Sequence, residues 1–418
     1  MIKKIISYLG GQAILKLSML LIGLTLVRVL NVSDYALYSL MTGLLGVAAV
    51  LSNSAVSTAF ITLVSRKEEK LGDYFYSAIN LRQLFFLVSS LLVITMALFS
   101  YNKIWGKSLY GICLSIVLIT NYITLYSLIF QSYLFTKENT RVLNKTVITS
   151  CVTRLILILL LSLIWRNVAG VLAINLAGYI IEFFLLKKNT NLFLLPQPTN
   201  ENLVSGKKEI INFITPIVPN TIYFAFRPQV SIFLLAFYGA TYSLASLGAL
   251  SRISLIISSL SVIFPFYVQP QLAKCKTRKE FIFHLFVILG AFFLITLILA
   301  LSVLLYPKLW LLLLGSKYSG LGEDVVYAVI TPCITLFVGI FFTAIMAIGN
   351  NKSLYFESIL SLIFQIVFLS LYANHFTLNK ALIMSILSEI LSMSFYAVML
   401  TMKLKNPNIN EINWNQNV

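Results

Sequence analysis

Six cationic side chains, Lys16, Arg28, Arg82, Arg154, Arg227 and Arg252, fall inside long apolar stretches, against three acids, Glu182, Glu357 and Glu389. A charge near the centre of a bilayer costs a few kcal/mol, so such residues face a protein interior or a watery cavity. Guanidinium forks match phosphate oxygens in bidentate fashion. A surplus of buried positive charge therefore suits an anionic, phosphate-bearing ligand.

The six differ in depth. Arg154, Arg227 and Arg252 lie about ten or more residues from the nearest span end, some 15 Å of helical rise and too deep for easy snorkelling. Arg28 and Arg82 lie within about one turn of a span end, and Lys16 is slightly deeper. Each of these three suits either a cavity or a side chain reaching back to the interface. Glu389, mid-span, is open to two roles: neutralising one arginine, or carrying a coupling proton, since desolvation raises a carboxyl pKa. Glu182 and Glu357 fall nearer span ends.

Pro216, Pro219 and Pro228 crowd one apolar stretch, the last directly after Arg227. Proline removes a backbone donor and kinks a helix, which predicts a broken or bent segment. Its released carbonyls then need water or a partner, as in a gating or cavity-lining helix; a permanent packing kink is the other reading. Ser52, Asn53, Ser54 and Gln365 either line the same lumen or bond neighbouring helices.

Catalysis finds little support. There is no P-loop G-x-x-x-x-G-K-[ST], no H-E-x-x-H and no G-x-S-x-G. A membrane-embedded transferase acting on lipid-linked sugar would draw on Asp34, Asp73, Glu323 and Asp324, and it would usually show acidic metal ligands. Cys113, Cys151, Cys275 and Cys333 form no C-x-x-C pair, and His284 and His375 are far apart, so neither a disulfide framework nor a metal site is expected. No cofactor is expected.

The elements that carry these residues follow from composition. Hydrophobic residues make up 59% of the 418 and charged residues 11%, whereas soluble domains carry about 25% charged residues. A bilayer core takes about 20 apolar residues per helix, and runs of that length succeed one another without the alternation of a β-barrel. The runs predict an all-α polytopic membrane protein of about 12 spans, at 12–30, 36–64, 79–100, 108–135, 144–165, 168–187, 209–239, 242–269, 280–306, 325–350, 354–373 and 376–402. Lys3 and Lys4 lead into the first without a small-residue cleavage site, so it reads as a membrane helix and not a signal peptide.

Loop charge orients the spans. Of the 31 Lys and Arg, 19 fall on one set of alternate loops and 6 on the other, so the positive-inside rule places both termini in the cytoplasm. The formal charge of +17 is largely this topology, which removes the case for nucleic acid and leaves membrane lipids as partners. The polar, Pro-containing stretch 189–208 reads as a cytoplasmic linker between six-helix bundles at 1–188 and 209–402, with a cytoplasmic tail at 403–418. A weak echo agrees: Tyr35, Leu37, Ser39 and Leu40 recur as Tyr242, Leu244, Ser246 and Leu247 at a constant offset of 207. Two parallel halves imply pseudo-symmetry about a central cavity.

With these features the chain resembles the O-antigen or polysaccharide-exporter flippases of the multidrug/oligosaccharidyl-lipid/polysaccharide (MOP) superfamily. Ser33-Asp34-Tyr35-Ala36-Leu37-Tyr38-Ser39-Leu40 is similar to the family's G-x-Y-x-x-x-S-L entry to the second helix, with Ser33 where glycine is common. Leu250-Ser251-Arg252-Ile253 resembles its alanine-rich segment with a basic residue. The resemblance implies a transporter, not an enzyme, in the bacterial inner membrane, moving undecaprenyl-pyrophosphate-linked oligosaccharide to the periplasmic leaflet by alternating access. It implies the intramembrane cations as cargo ligands and the polysaccharide polymerase machinery as a downstream partner. A cation-coupled multidrug antiporter is the alternative within the superfamily, and it would require membrane acids in place of these cations.

Overall fold

The computed structural model describes residues 2–101, 107–137, 139–161, 167–190, 198–215, 218–275, 277–348, 353–372 and 376–405. Among them there is no strand, and the helices run α1 Ile2–Val29, α2 Val32–Arg66, α3 Leu71–Tyr101, α4 Lys107–Thr136, α5 Thr140–Leu161, α6 Val168–Asn189, α7 Asn200–Ile214, α8 Val218–Phe226, α9 Val230–Phe237, α10 Thr241–Ser258, α11 Gln269–Ala273, α12 Arg278–Leu305, α13 Pro307–Leu312, α14 Asp324–Ala347, α15 Ser353–Tyr372 and α16 Leu378–Lys405. Nine of the described helical stretches are long and apolar enough to cross a membrane. Adding α1, the α8–α9 pair and the shorter apolar α15 makes about twelve, so the chain is an all-α polytopic membrane protein.

Asn31, Asn167, Thr199 and Thr277 each accept a hydrogen bond from the backbone N–H three residues on, and so start α2, α6, α7 and α12. The long helices then turn apolar faces outward. On α12, Phe286, Leu294, Ile298 and Leu305 are each more than 60% exposed. That much apolar surface is tolerable only where lipid is the solvent.

The chain divides into two compact units, Met1–Gly248 and Ala249–Val418. In the first, α2 packs on α3, α4, α7 and α8, while α5 packs on α1 and α6. Its core includes an aromatic cluster in which Phe75 meets Phe60, Phe130 and Tyr133. The division by packing thus falls inside α10, beyond the 189–208 stretch, because α7, α8 and α9 lie on α2 and α3. Tyr35 and Ser39 of the Tyr-x-x-x-Ser motif are buried, and the Tyr35 hydroxyl donates to the Gly248 carbonyl at 3.2 Å. A side chain at position 248 would collide with Ser39. In this chain the motif is a packing device. In the second unit α14 packs on α12 and α16, and α15 on α16.

Two of the expected stretches are not uniform. The 189–208 stretch is helical from Asn200, and the span expected from 209 begins as the second half of that helix. α7 is amphipathic: Gly206, Ile210 and Ile214, spaced by four, are buried, while Val204 and Lys208 are exposed. It lies on α3 at Gly206, where an added Cβ would be 2.6 Å from Ser77 Oγ and 3.3 Å from the Asp73 carbonyl. The eighth span also loses regular winding, passing through a 3-10 turn at Ser259–Val262 and a π-turn at Phe264–Val268. Pro265 lies in that π-turn and offers no backbone donor.

Glu209 pins α7 to the polar turn between α2 and α3. Its carboxylate accepts from Lys67 at 2.9 Å, Lys70 at 3.4 Å and the Tyr74 hydroxyl at 2.6 Å. These donors, the Tyr74 hydroxyl first and then Lys67, hold its pKa down at about 2 against an ordinary 4.5. A depressed carboxylate pKa stabilises the fold above the unfolded value and loses that contribution as pH falls from about 4.5 toward 2. Glu209→Gln should therefore destabilise the purified protein at pH 7 by no more than about 1 kcal/mol, since the ion pairs are partly exposed, read as a lower thermal midpoint. The gap from wild type should close as the pH is taken from 5 down to 2.

Candidate functional site

The best-defined polar site in the first unit is built by α1, α4, α5 and α6 around Arg154. The residue is 6% exposed, as is Glu182. Arg154 Nη2 forms a short ion pair with Glu182 and donates to Ser150 Oγ at 3.0 Å. Ser150 donates in turn to Glu182 at 3.0 Å, and Gln131 donates to the other carboxylate oxygen at 2.8 Å. The guanidinium carbon lies 3.8 Å from the centre of the Tyr179 ring. Charge, hydrogen bonds and an aromatic face together replace the water both ions give up, which a buried pair requires.

Helical spacing explains the grouping. Ser150 and Arg154 are four apart on α5, and Gly178 and Glu182 four apart on α6, so each pair shares a face. Gly178 makes room for the arginine: an added Cβ there would be 2.6 Å from Arg154 Cδ and 2.7 Å from Nε. The site opens onto a cavity of about 260 Å³ whose walls include Gly11, Met19, Gln131 and Asn144. Arg154 Nε is buried without a hydrogen-bond partner.

Arg82 corrects the expectation of a position near a span end. α3 begins at Leu71, so Arg82 lies eleven residues in and is fully buried. It donates to the Leu125 carbonyl at 2.9 Å and to Ser57 Oγ in a short bond. Among the described residues no carboxylate lies within ion-pair distance of it. One turn away, Ser52 donates to Asn121 at 3.4 Å and Asn53 donates to Ser52 at 2.8 Å. These polar residues of α2 thus bond neighbours inside the bundle.

The remaining candidates are dispersed. Arg28 is exposed in the last turn of α1, and Lys16 is half-buried at mid-helix. Arg252 is half-buried on α10. Arg227, half-buried, lies in the break between α8 and α9, with its guanidinium 5.8 Å from the centre of the Tyr223 ring. Pro228 follows it in the break, Pro219 is the exposed second residue of α8, and Pro216 lies outside the described residues. In the same break the Gln229 carboxamide lies against α2, where a Cβ on Gly43 would be 2.8 Å from its Oε1. In the second unit, half-buried Glu389 sits on α16. Glu357, fully buried, accepts from Ser361 at 2.9 Å and Ser392 at 2.6 Å.

Sequence reasoning set Arg154 deep in a span but left it without Glu182, which was placed near a span end, and it singled out neither Gly178 nor Gln229. The spacings Ser-x-x-x-Arg and Gly-x-x-x-Glu on successive helices were the available signal.

No family model matches the sequence, and no curated protein matches it. Solved structures do. A lipid II flippase, MurJ, in an inward closed conformation aligns with a TM-score of 0.75 at 16% identity, over 97% of this chain and 89% of its own. An inward-facing multidrug resistance MATE family transporter of the MOP superfamily aligns at 0.71 and 14% identity, over 96% of this chain and 99% of its own. The fold is that of the MOP-superfamily transporters. A MOP transporter from Pyrococcus furiosus, described as having a binding pocket of reverse polarity, aligns at 0.57 and 14% identity over 97% of this chain and 96% of its own. At such identities the MOP likeness is one of fold, and cargo has to be argued from this chain's own residues.

The pair at the centre of the site gives a direct test. Glu182→Leu alone leaves a buried, unpaired guanidinium and should destabilise by about 3–5 kcal/mol. Arg154→Leu should cost a similar amount, and the double variant should recover much of the loss. Thermal unfolding of the four proteins, read as a double-mutant cycle, measures the coupling.

Proposed function

We propose that this chain is a flippase for polyprenyl-pyrophosphate-linked oligosaccharide, of the O-antigen repeat-unit kind. It carries the cargo by alternating access from the cytoplasmic to the periplasmic leaflet of the bacterial inner membrane, with both termini in the cytoplasm. The observation that carries this reading is the excess of cationic over acidic residues inside its long apolar stretches. Six cations stand against three acids. Of these cations, Arg154 is neutralised by Glu182, and Arg82 is sealed inside the bundle.

The half-buried Arg227 and Arg252 are the candidates to meet a pyrophosphate or an acidic sugar, Arg227 for its place in the helix break and Arg252 for its depth in the span, with Lys16 and Arg28 beside them. Arg154 would reach the cargo only by giving up Glu182. Arg227 is further favoured by its place in a helix break flanked by Pro228, which offers no backbone N–H to the helix ladder. The fold supports a lipid-linked cargo through its likeness to the MurJ flippase. The product would be a periplasmic lipid-linked glycan, the form a polymerase consumes.

A second reading is a cation-coupled multidrug antiporter. It is favoured by the likeness to a multidrug MATE transporter and by the presence of Glu182 on the wall of the α1, α4, α5 and α6 cavity. The two readings demand opposite charge on the cargo.

Arg227→Ala and Arg252→Ala, expressed in a strain lacking the native gene, should insert normally yet cut delivery of the glycan at least tenfold, with precursor accumulating in the inner leaflet. Normal surface polysaccharide with both variants would remove the assignment. Restored resistance to cationic drugs, with no effect on glycan, would favour the antiporter.

A further inference from the structure

The structure brings together three metal-binding side chains that the sequence separates as C-x4-E-x3-H. Cys275 Sγ, a carboxylate oxygen of Glu280 and a ring nitrogen of His284 all lie within 4.8 Å of one another. The cluster sits in the polar turn leading from α11 into α12, apart from the intramembrane cations. We propose that Cys275, Glu280 and His284 form a site for a borderline-soft divalent cation of the Zn²⁺ class, with water completing a four-coordinate shell.

Local folding sets the geometry. Thr277 caps α12 by accepting from Glu280 N–H at 3.2 Å, which fixes where the helix begins. Glu280 and His284, four apart, then share its first exposed face. Cys275 is held two residues ahead of the cap by its own N–H bond to the Leu272 carbonyl at 3.3 Å. Its thiol is buried against the cluster, 3.9 Å from His284 Nδ1. A tetrahedral Zn²⁺ with ordinary Zn–S and Zn–N bonds sets sulfur and nitrogen about 3.6 Å apart, so the ligands are near their bound spacing.

Nδ1 now lies 2.9 Å from the Glu280 carbonyl. That carbonyl also serves the helix ladder, so giving up the imidazole leaves it partnered. The thiol proton leaves to solvent as the metal binds. Burial, and then the Glu280 charge, push the Cys275 thiol above its ordinary pKa. A thiol and a carboxylate set side by side are unfavourable together as anions, and a divalent cation between them reverses that sign. A bound ion would tie the turn before α12 to the first two turns of that helix.

Co²⁺ titration of the purified full-length protein, reduced with a phosphine, gives a direct readout. One equivalent should produce a thiolate-to-cobalt charge-transfer absorption that excess Zn²⁺ abolishes. Cys275→Ser should remove the band while Cys113, Cys151 and Cys333 remain. His284→Ala, at a half-buried position, should weaken binding at least tenfold while the protein still elutes as a single species. No band in the wild type, or a band surviving in both variants, would overturn the site.

Discussion

An arginine placed inside a bundle solvated by lipid has to bring its counter-charge with it. Arg154 does so through Glu182, with Ser150, Gln131 and Tyr179 occupying the directions from which water has been excluded. Space is the other requirement, and Gly178 supplies it by letting the guanidinium stem lie on the α6 backbone. Packing of α5 against α6, and the cavity that α1 and α4 complete, depend on that pair. The same constraint governs the rest of the membrane interior. Arg82 is bound by a carbonyl and a hydroxyl, and Glu357 by two serine hydroxyls.

This arrangement bears on cargo in a specific way. Pairing with Glu182 occupies Arg154, and full burial encloses Arg82. Arg227 and Arg252 are both half-buried, and the proposed cargo contact rests on them. Arg227 gains weight because its helix is interrupted at that position, where α8 stops and α9 restarts. A polar break among continuous apolar helices is costly, and it persists where water or a ligand can satisfy the backbone.

Much of the fold was legible in the sequence because lipid imposes a single length scale on spanning helices. Apolar runs of about 20 residues leave few alternatives. What escaped were features that hydropathy does not encode. α7 was merged with the seventh span because Ile210 and Ile214 continue its apolar run, although their spacing by four marks a surface-lying helix. Arg82 was placed too near the boundary because α3 extends back through the polar residues Asp73 and Ser77. The partnership of Arg154 with Glu182 depends on two helices meeting, and no local pattern in either one announces it. The cluster of Cys275, Glu280 and His284 was passed over for a related reason: its spacing matches no familiar metal motif, and only the helix start at Thr277 brings the ligands together.

On the function proposed, intramembrane cations recognise an anionic lipid-linked cargo. Thermal stabilisation of the purified protein by added ligand tests this most directly, since anything bound to the folded state alone raises its stability by mass action. Polyprenyl-pyrophosphate-linked oligosaccharide should raise the unfolding midpoint of the wild type and leave that of Arg227→Gln unchanged. Stabilisation by a lipophilic cation, with none from the pyrophosphate-linked glycan, would contradict the claim.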